Sequence, residues 1–236
     1  MDLLTEISER VVPATPAPQL GAARLVVVLV GAALAVGWWP AWRYLRLAIT
    51  LVHELGHALV GVAVGRRFTG FVLRSDMSGH TLTVGRPTGP GVVATTWAGY
   101  PAPAVVGAVV VWLATSGWSS VVLSALVLAL LVALVFVRSG LTALVVVLSL
   151  AALGGLWWWR EDAVQQHVLV GLGTVLVVGA WRHLATVLGR VDPTSDPGVL
   201  GHLTGVPVLL WQASFVLVLL LASWVVVSET LSVLGG

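Results

Sequence analysis

The chain has 236 residues, 58% of them hydrophobic and only 9% charged, with a mean hydropathy of +1.01. A soluble domain carries about 25% charged residues, so no water-soluble core could hide this much apolar surface and the solvent must be lipid. The formal net charge is +2, every one of the 12 basic residues is arginine, and the count of 0 cysteines excludes disulfides, thiolate metal ligands and cysteine nucleophiles; the bilayer is an expected partner and nucleic acid is not.

The N-terminal "MDLLTEISERVVPATPAPQLGAAR" has acids, a Pro/Ala-rich tether and no basic n-region. It reads as a short cytoplasmic tail, residues 1–21, rather than a cleaved signal peptide. Residues 22–236 then form one domain. A span needs about 20 apolar residues, and the pattern predicts seven: Ala22–Trp39, Tyr44–Val64, Gly91–Ala114, Ser119–Val137, Leu141–Trp159, Val164–Val187 and Val206–Val227. "RSG", Arg138 to Gly140, reads as a tight turn between the fourth and fifth. The expected fold is therefore all-α, a polytopic membrane protein with about seven transmembrane helices and a short cytoplasmic β-hairpin insert.

Seven spans put Arg10, Arg24, Arg66, Arg67, Arg74, Arg86, Arg138, Arg182 and Arg190 on the side of the N-terminus, against Arg43, Arg46 and Arg160 opposite. Basic excess marks the cytoplasm, which predicts an N-terminus inside and a C-terminus outside. Trp38, Trp39, Trp42, Trp112, Trp118, Trp157, Trp158, Trp159 and Trp224 gather on the predicted outer side, where indole rings anchor. The lysine-free, Ala/Val/Gly-rich usage suits a GC-rich bacterial genome and hence a bacterial plasma membrane.

Inside the second span lies His53-Glu54-x-x-His57. Ionisable groups at membrane depth cost about 2.5–3.5 kcal/mol each, and helix glue would more cheaply use Ser or Thr. Positions i and i+4 share a helix face, so both imidazoles can bind one ion. Zinc (Zn2+) suits such a donor set, with a carboxylate completing it and one position left for water. Glu54, beside His53, is placed to take a proton from zinc-bound water. Gly56, Gly61 and Gly65 on the same helix admit close neighbours; Gly61 and Gly65 read as plain packing glycines.

After this span, Phe71 to Leu73 and Thr81 to Val84 flank the turn-like "SDMSG", which predicts a hairpin with Asp76 as turn former. Its edge either holds an extended substrate by strand addition or is a mere connection. "AGYPAPAVVG" breaks the third span, because Pro101 and Pro103 cannot donate backbone hydrogen bonds; Tyr100 there could offer a phenol to an oxyanion. His167 and His183 read as hydrogen-bonded helix contacts, and Glu229 as reaching the outer interface.

"HELGHA" opening a membrane helix resembles the site-2 protease family of intramembrane zinc metallopeptidases, most closely its small seven-span bacterial B-type branch. The resemblance implies that His53 and His57 are zinc ligands, that Glu54 is the catalytic glutamate and that a later Asp is the third ligand. Gly99, Tyr100 and Pro103 look like a Gly-Tyr-x-x-Pro element of that branch. Ser195, Asp196, Leu200, Thr204, Gly205 and Pro207 resemble its Ser-Asp pair followed by "LxxxTGxP".

The candidates for the third ligand are Asp76, Asp192, Asp196, His80, His183 and His202. His57 precedes Arg66 by enough residues to sit roughly 13 Å from the cytoplasmic end at 1.5 Å per residue. A partner arriving from that side fits "RVDPTSDPGVLGHLTGVP". Asp196 is the choice, read as the N-cap of a short helix with Pro197 at its first position and Gly205 at its stop; Asp192, also before a proline, is its rival. His202 reads as packing or as a support to the ligands. Tyr100 and Ser195 are candidates for touching the ligands or the substrate. The expected activity is hydrolysis of peptide bonds in membrane-embedded or membrane-tethered proteins, such as an anti-sigma factor, with no room in the chain for a separate PDZ module. The rival classes are an inactive protease-like membrane scaffold and a zinc or proton transporter.

Overall fold

Long apolar runs without interior prolines can satisfy their backbone in lipid only as helices, and helices dominate the architecture. The computed structural model describes residues 7–8, 10–15 and 20–235, so most of the expected N-terminal tail lies outside the described residues. In chain order the elements are α1 (Ala22–Gly37), α2 (Trp39–Ala63), β1 (Arg67–Leu73), β2 (Gly79–Val84), α3 (Pro90–Trp97), α4 (Pro101–Thr115), α5 (Ser119–Val135), α6 (Gly140–Trp158), α7 (Asp162–Ala185), α8 (Asp196–Thr204) and α9 (Val208–Gly235). Four of these, α2, α6, α7 and α9, are long and apolar enough to cross a membrane. The broken pair α3–α4, bent by 62°, makes a fifth, while α1 and α5 are shorter apolar helices. All seven expected segments are thus helical, and the fold is a helical membrane bundle carrying one two-stranded sheet.

Small residues set the closest helix contacts. A Cβ added to Gly107 of α4 would strike the carbonyl oxygen of Gly173 on α7 at 2.5 Å, and the converse distance is the same. Val111 and Val177 pack against this pair, and they belong to a larger apolar core drawn from α4, α7, α8 and α9 that includes Leu184, Leu200 and Phe215. Indole–hydroxyl bonds pin α9: Trp97 Nε1 donates to Ser214 Oγ at 2.9 Å and Trp181 Nε1 to Ser223 Oγ at 3.0 Å. Such bonds matter in lipid, where apolar burial gives helices little reason to associate. Leu128, Val135, Leu148, Leu217 and Leu221 remain exposed outside this core, as a lipid-facing surface requires.

The hairpin forms, and it is longer than predicted. β1 and β2 pair antiparallel from Arg67↔Val84 to Leu73↔Gly79, with a bulge between Phe68 and Gly70. Asp76 closes the turn, its Oδ1 accepting from Ser78 N at 2.9 Å and Ser78 Oγ at 2.6 Å; these bonds hold its carboxyl below the usual range. The stretch read as a tight "RSG" turn does more than turn. Phe71 N donates to Phe136 O and Arg138 N to Phe71 O, each at 3.1 Å, so the α5–α6 connection covers the outer edge of β1. Ser139 then caps α6 by accepting from Thr142 N at 3.2 Å.

Three further expectations need correction. Gly65 is no packing glycine: its φ is +80 and no atom would meet its Cβ within 4 Å, so it serves the left-handed turn out of α2. Ser195, rather than Asp196, is the N-cap of α8, accepting from Gly198 N at 3.4 Å. The third correction concerns direction. α2 runs antiparallel to α3–α4, with Gly56 against Ala98 and Ala102 and His57 bonded to Thr95, and α4 runs antiparallel to α7. α2 and α7 therefore share one sense. Strict alternation would make α1 opposite to both, yet Val28 packs on Gly171 and the Val36 carbonyl accepts from the Arg182 guanidinium, so α1 runs the same way as α7. The N-terminal segment follows suit: Arg10 donates to Trp158 O at 3.0 Å and Ala14 N to Gly117 O at 2.9 Å. That is the end of the bundle where Leu20 and Leu25 share a cluster with Ala114, Leu169 and Val233. The described N-terminal segment and the last turns of α9 therefore lie at one end of the bundle.

Candidate metal centre

Helical spacing places His53 and His57 on the inward face of α2, both buried, with Glu54 only 3% exposed between them. The bend between α3 and α4 brings the backbone of Ala98 to Tyr100 down on this face. From the opposite direction, α8 enters with its first residue. Because Ser195 does the capping, the Asp196 side chain is free to turn inward, and its Oδ2 lies 3.2 Å from His53 Nε2 and 3.3 Å from His57 Nε2. The two Nε2 atoms are 3.1 Å apart.

That triangle has the dimensions of a metal site. A tetrahedral ion with ligand distances of about 2.0–2.1 Å sets its donor atoms roughly 3.3–3.4 Å apart. The proton inventory agrees. His57 Nδ1 lies 2.7 Å from the carbonyl oxygen of Thr95; a carbonyl can only accept, so Nδ1 carries a proton, and in the neutral ring Nε2 is then the nitrogen with a free lone pair. Asp196 Oδ2 is buried and accepts no hydrogen bond. Three acceptors converging in a buried space are costly unless a cation satisfies them. His53, His57 and Asp196 form the group with metal-holding geometry among the described residues.

Gly99 supplies room. A Cβ there would strike His57 Nε2 and lie 2.6 Å from His53 Nε2, so any side chain at position 99 would fill the space above the donor triangle. Gly56 plays the matching part on α2, where a Cβ would run into Ala102 Cβ and lie 3.0 Å from Ala98 O.

The sheet covers the carboxylate. Thr81 Oγ1 on β2 donates to Glu54 Oε2 at 2.7 Å, and a Cβ on Gly79 would collide with Glu54 Oε1. Tyr100, 7% exposed, stands edge-on to His53 with ring centres 5.0 Å apart. His183 stacks nearly parallel on His53, 5.1 Å between centres and 19° between planes, and also meets Tyr100. Read from sequence as an ordinary helix contact, His183 is instead part of the wall of this site.

The remaining candidates lie elsewhere. Asp192 faces solvent and is used locally, its Oδ1 accepting from Thr194 N at 2.9 Å and Thr194 Oγ1 at 2.7 Å; these bonds, the backbone one foremost, hold its carboxyl below the usual range. His80 and His202 are exposed, on β2 and α8. Asp76 is in the hairpin turn. Ser195 Oγ donates to Asp192 O at 2.7 Å besides its cap. His167 bonds to Ala163 O at 2.6 Å near the start of α7, and Glu229 accepts from Thr115 Oγ1 at 2.7 Å at the far end of α4. The contacts of Thr81 and Gly79 with Glu54 carry no mark in the sequence, since a strand threonine does not show what its face meets, and Gly99 stands out there only through the Gly-Tyr-x-x-Pro resemblance.

No curated protein and no solved structure matches the chain. A family model described as Peptidase M50B-like matches residues 25–226, from α1 into α9, and so spans the whole donor triangle.

Proposed function

Because the chain belongs to the Peptidase M50B-like family, within the site-2 protease family, we propose that it is an intramembrane zinc metalloprotease. It hydrolyses peptide bonds of membrane-embedded or membrane-tethered proteins. The observation that carries this reading is the triangle of converging donor atoms from His53, His57 and Asp196, at 3.1–3.3 Å, next to a buried carboxylate that is not part of it. These three residues hold the ion, and Asp192 does not. Zinc bound there supplies a Lewis acid that acidifies a water and polarises a carbonyl. Glu54 accepts the water's proton and returns it to the leaving amine. Thr95 holds the His57 ring in the tautomer that leaves Nε2 free. Gly99 leaves space for the scissile peptide, and Tyr100, its ring packed edge-on against His53, is the candidate donor to the developing oxyanion.

Residues 22–236 make up the protease domain. The arginine balance supports a cytoplasmic exposure of the site end: Arg66, Arg67, Arg74, Arg86, Arg138 and Arg190 flank it, whereas Arg10, Arg24 and Arg160 are at the other end. A single-span protein in a bacterial plasma membrane is the fitting substrate. Glu54→Gln tests the assignment. The variant keeps its zinc, binds membrane-protein substrates without cutting them, and co-purifies with them intact; cleavage at the wild-type rate would refute the role of Glu54.

A further inference from the structure

The carboxylate of Glu54 is nearly sealed from solvent, and among the described residues Thr81 is the side chain that donates to it. A glutamate has three side-chain torsions, so its position on α2 does not by itself fix where the carboxylate points. Two features of β2 do. The Thr81 hydroxyl binds Oε2 at 2.7 Å while lying 2.9 Å from the Glu54 backbone carbonyl, and Gly79 presses on Oε1 with no side chain of its own. The strand doing this is itself held in register. Thr50 Oγ1 donates to Met77 O at 3.0 Å in the hairpin turn, and Leu73 N donates to Thr142 Oγ1 at 2.7 Å on α6. A slip of one residue would turn Thr81 away from α2 and bring His80 or Leu82 onto the carboxylate.

We propose that Thr81 is a positioning residue: its hydroxyl, against the bare backbone of Gly79, holds the Glu54 carboxylate in the orientation from which it serves the hydrolytic water. This rests on the protease reading of Glu54. The hairpin thereby becomes part of the catalytic apparatus through the side chains of its inner face. A purely structural Thr81, stapling strand to helix through the Glu54 carbonyl, predicts different behaviour, because a staple affects folding and metal retention before it affects turnover.

The test uses the full chain, zinc-loaded and reconstituted in liposomes, with a pooled library of single-span peptides as probe and mass spectrometry of the products. Thr81→Val keeps the shape and strand preference but removes the donor; kcat falls about tenfold or more, with KM and zinc content each within about twofold of wild type. Thr81→Ser restores the hydroxyl and returns kcat to within about threefold of wild type. The inference is overturned if Thr81→Val turns over like wild type, if Thr81→Ser is as slow as Thr81→Val, or if zinc is lost in step with kcat. A zinc-loaded wild type that cuts no library member, or a Glu54→Gln variant that cuts as fast as wild type, overturns the protease reading itself and this inference with it.

Discussion

Removing Asp196 takes away one corner of a triangle that two imidazoles cannot complete. Purified wild type is expected to carry about one zinc per chain by plasma mass spectrometry, with His57→Ala and Asp196→Ala each retaining less than about a tenth of that. Asp192→Ala should retain wild-type zinc, because that carboxylate serves Thr194. Gly99→Ala is a sharper probe, since a single methyl would overlap His57 Nε2. Its expected outcome is a loss of zinc affinity of about tenfold or more, measured by competition with a chelator, with the helical circular dichroism unchanged. The histidines and Glu54 could be read from sequence because helical geometry alone relates i to i+4. Asp196 could be placed because a short loop must return near the motif. What Gly79, Thr81, Gly99 and His183 touch could not, because each contact comes from an approach between elements far apart in the chain, and nothing in local spacing encodes which strand face or helix stripe will arrive.

At the scale of elements, the closest approach of α4 and α7 depends on two absent side chains. Gly107→Ile should force these helices apart and destabilise the fold by about 1–3 kcal/mol, the usual cost of overpacking. Gly154→Ile on α6 is the control, since nothing lies within 4 Å of a Cβ there; its unfolding midpoint in detergent should stay near wild type. The hairpin, the break at "AGYPAP" and the short helix after "TSDP" were all legible, since proline, glycine and small polar residues act on their own neighbourhood. The cap of α8 was misread by one residue, and the reason is chemical. Ser195 and Asp196 both suit an N-cap, and only the presence of two imidazoles opposite shows why the carboxylate is the one left uncommitted. The strand-like pairing of Phe136 and Arg138 with Phe71 was hidden for the same kind of reason: a tight turn and a strand partner look alike when the partner is unseen.

For the whole molecule, hydropathy locates apolar segments but carries no arrow along the membrane normal, so α1 was assigned its direction by alternation alone. Its packing beside α7 reverses that. The chain lacks cysteine, which makes the arrangement directly testable by single-cysteine substitutions in sealed vesicles. Cysteines at Thr15 and Ser232 are expected to react with an impermeant maleimide from the same side, and a cysteine at Asp76 in the hairpin turn only from the other. Labelling of Thr15 and Asp76 from one side would restore the alternating arrangement. The shared sense of α1 and α2 also has an arithmetical consequence. A polypeptide whose ends emerge in one compartment must traverse the bilayer an even number of times. Four helices, or five with the bent pair α3–α4, are long and apolar enough to be such passages, beside the shorter α1 and α5, and reporters fused to the two termini are expected together, in the compartment away from the donor triangle.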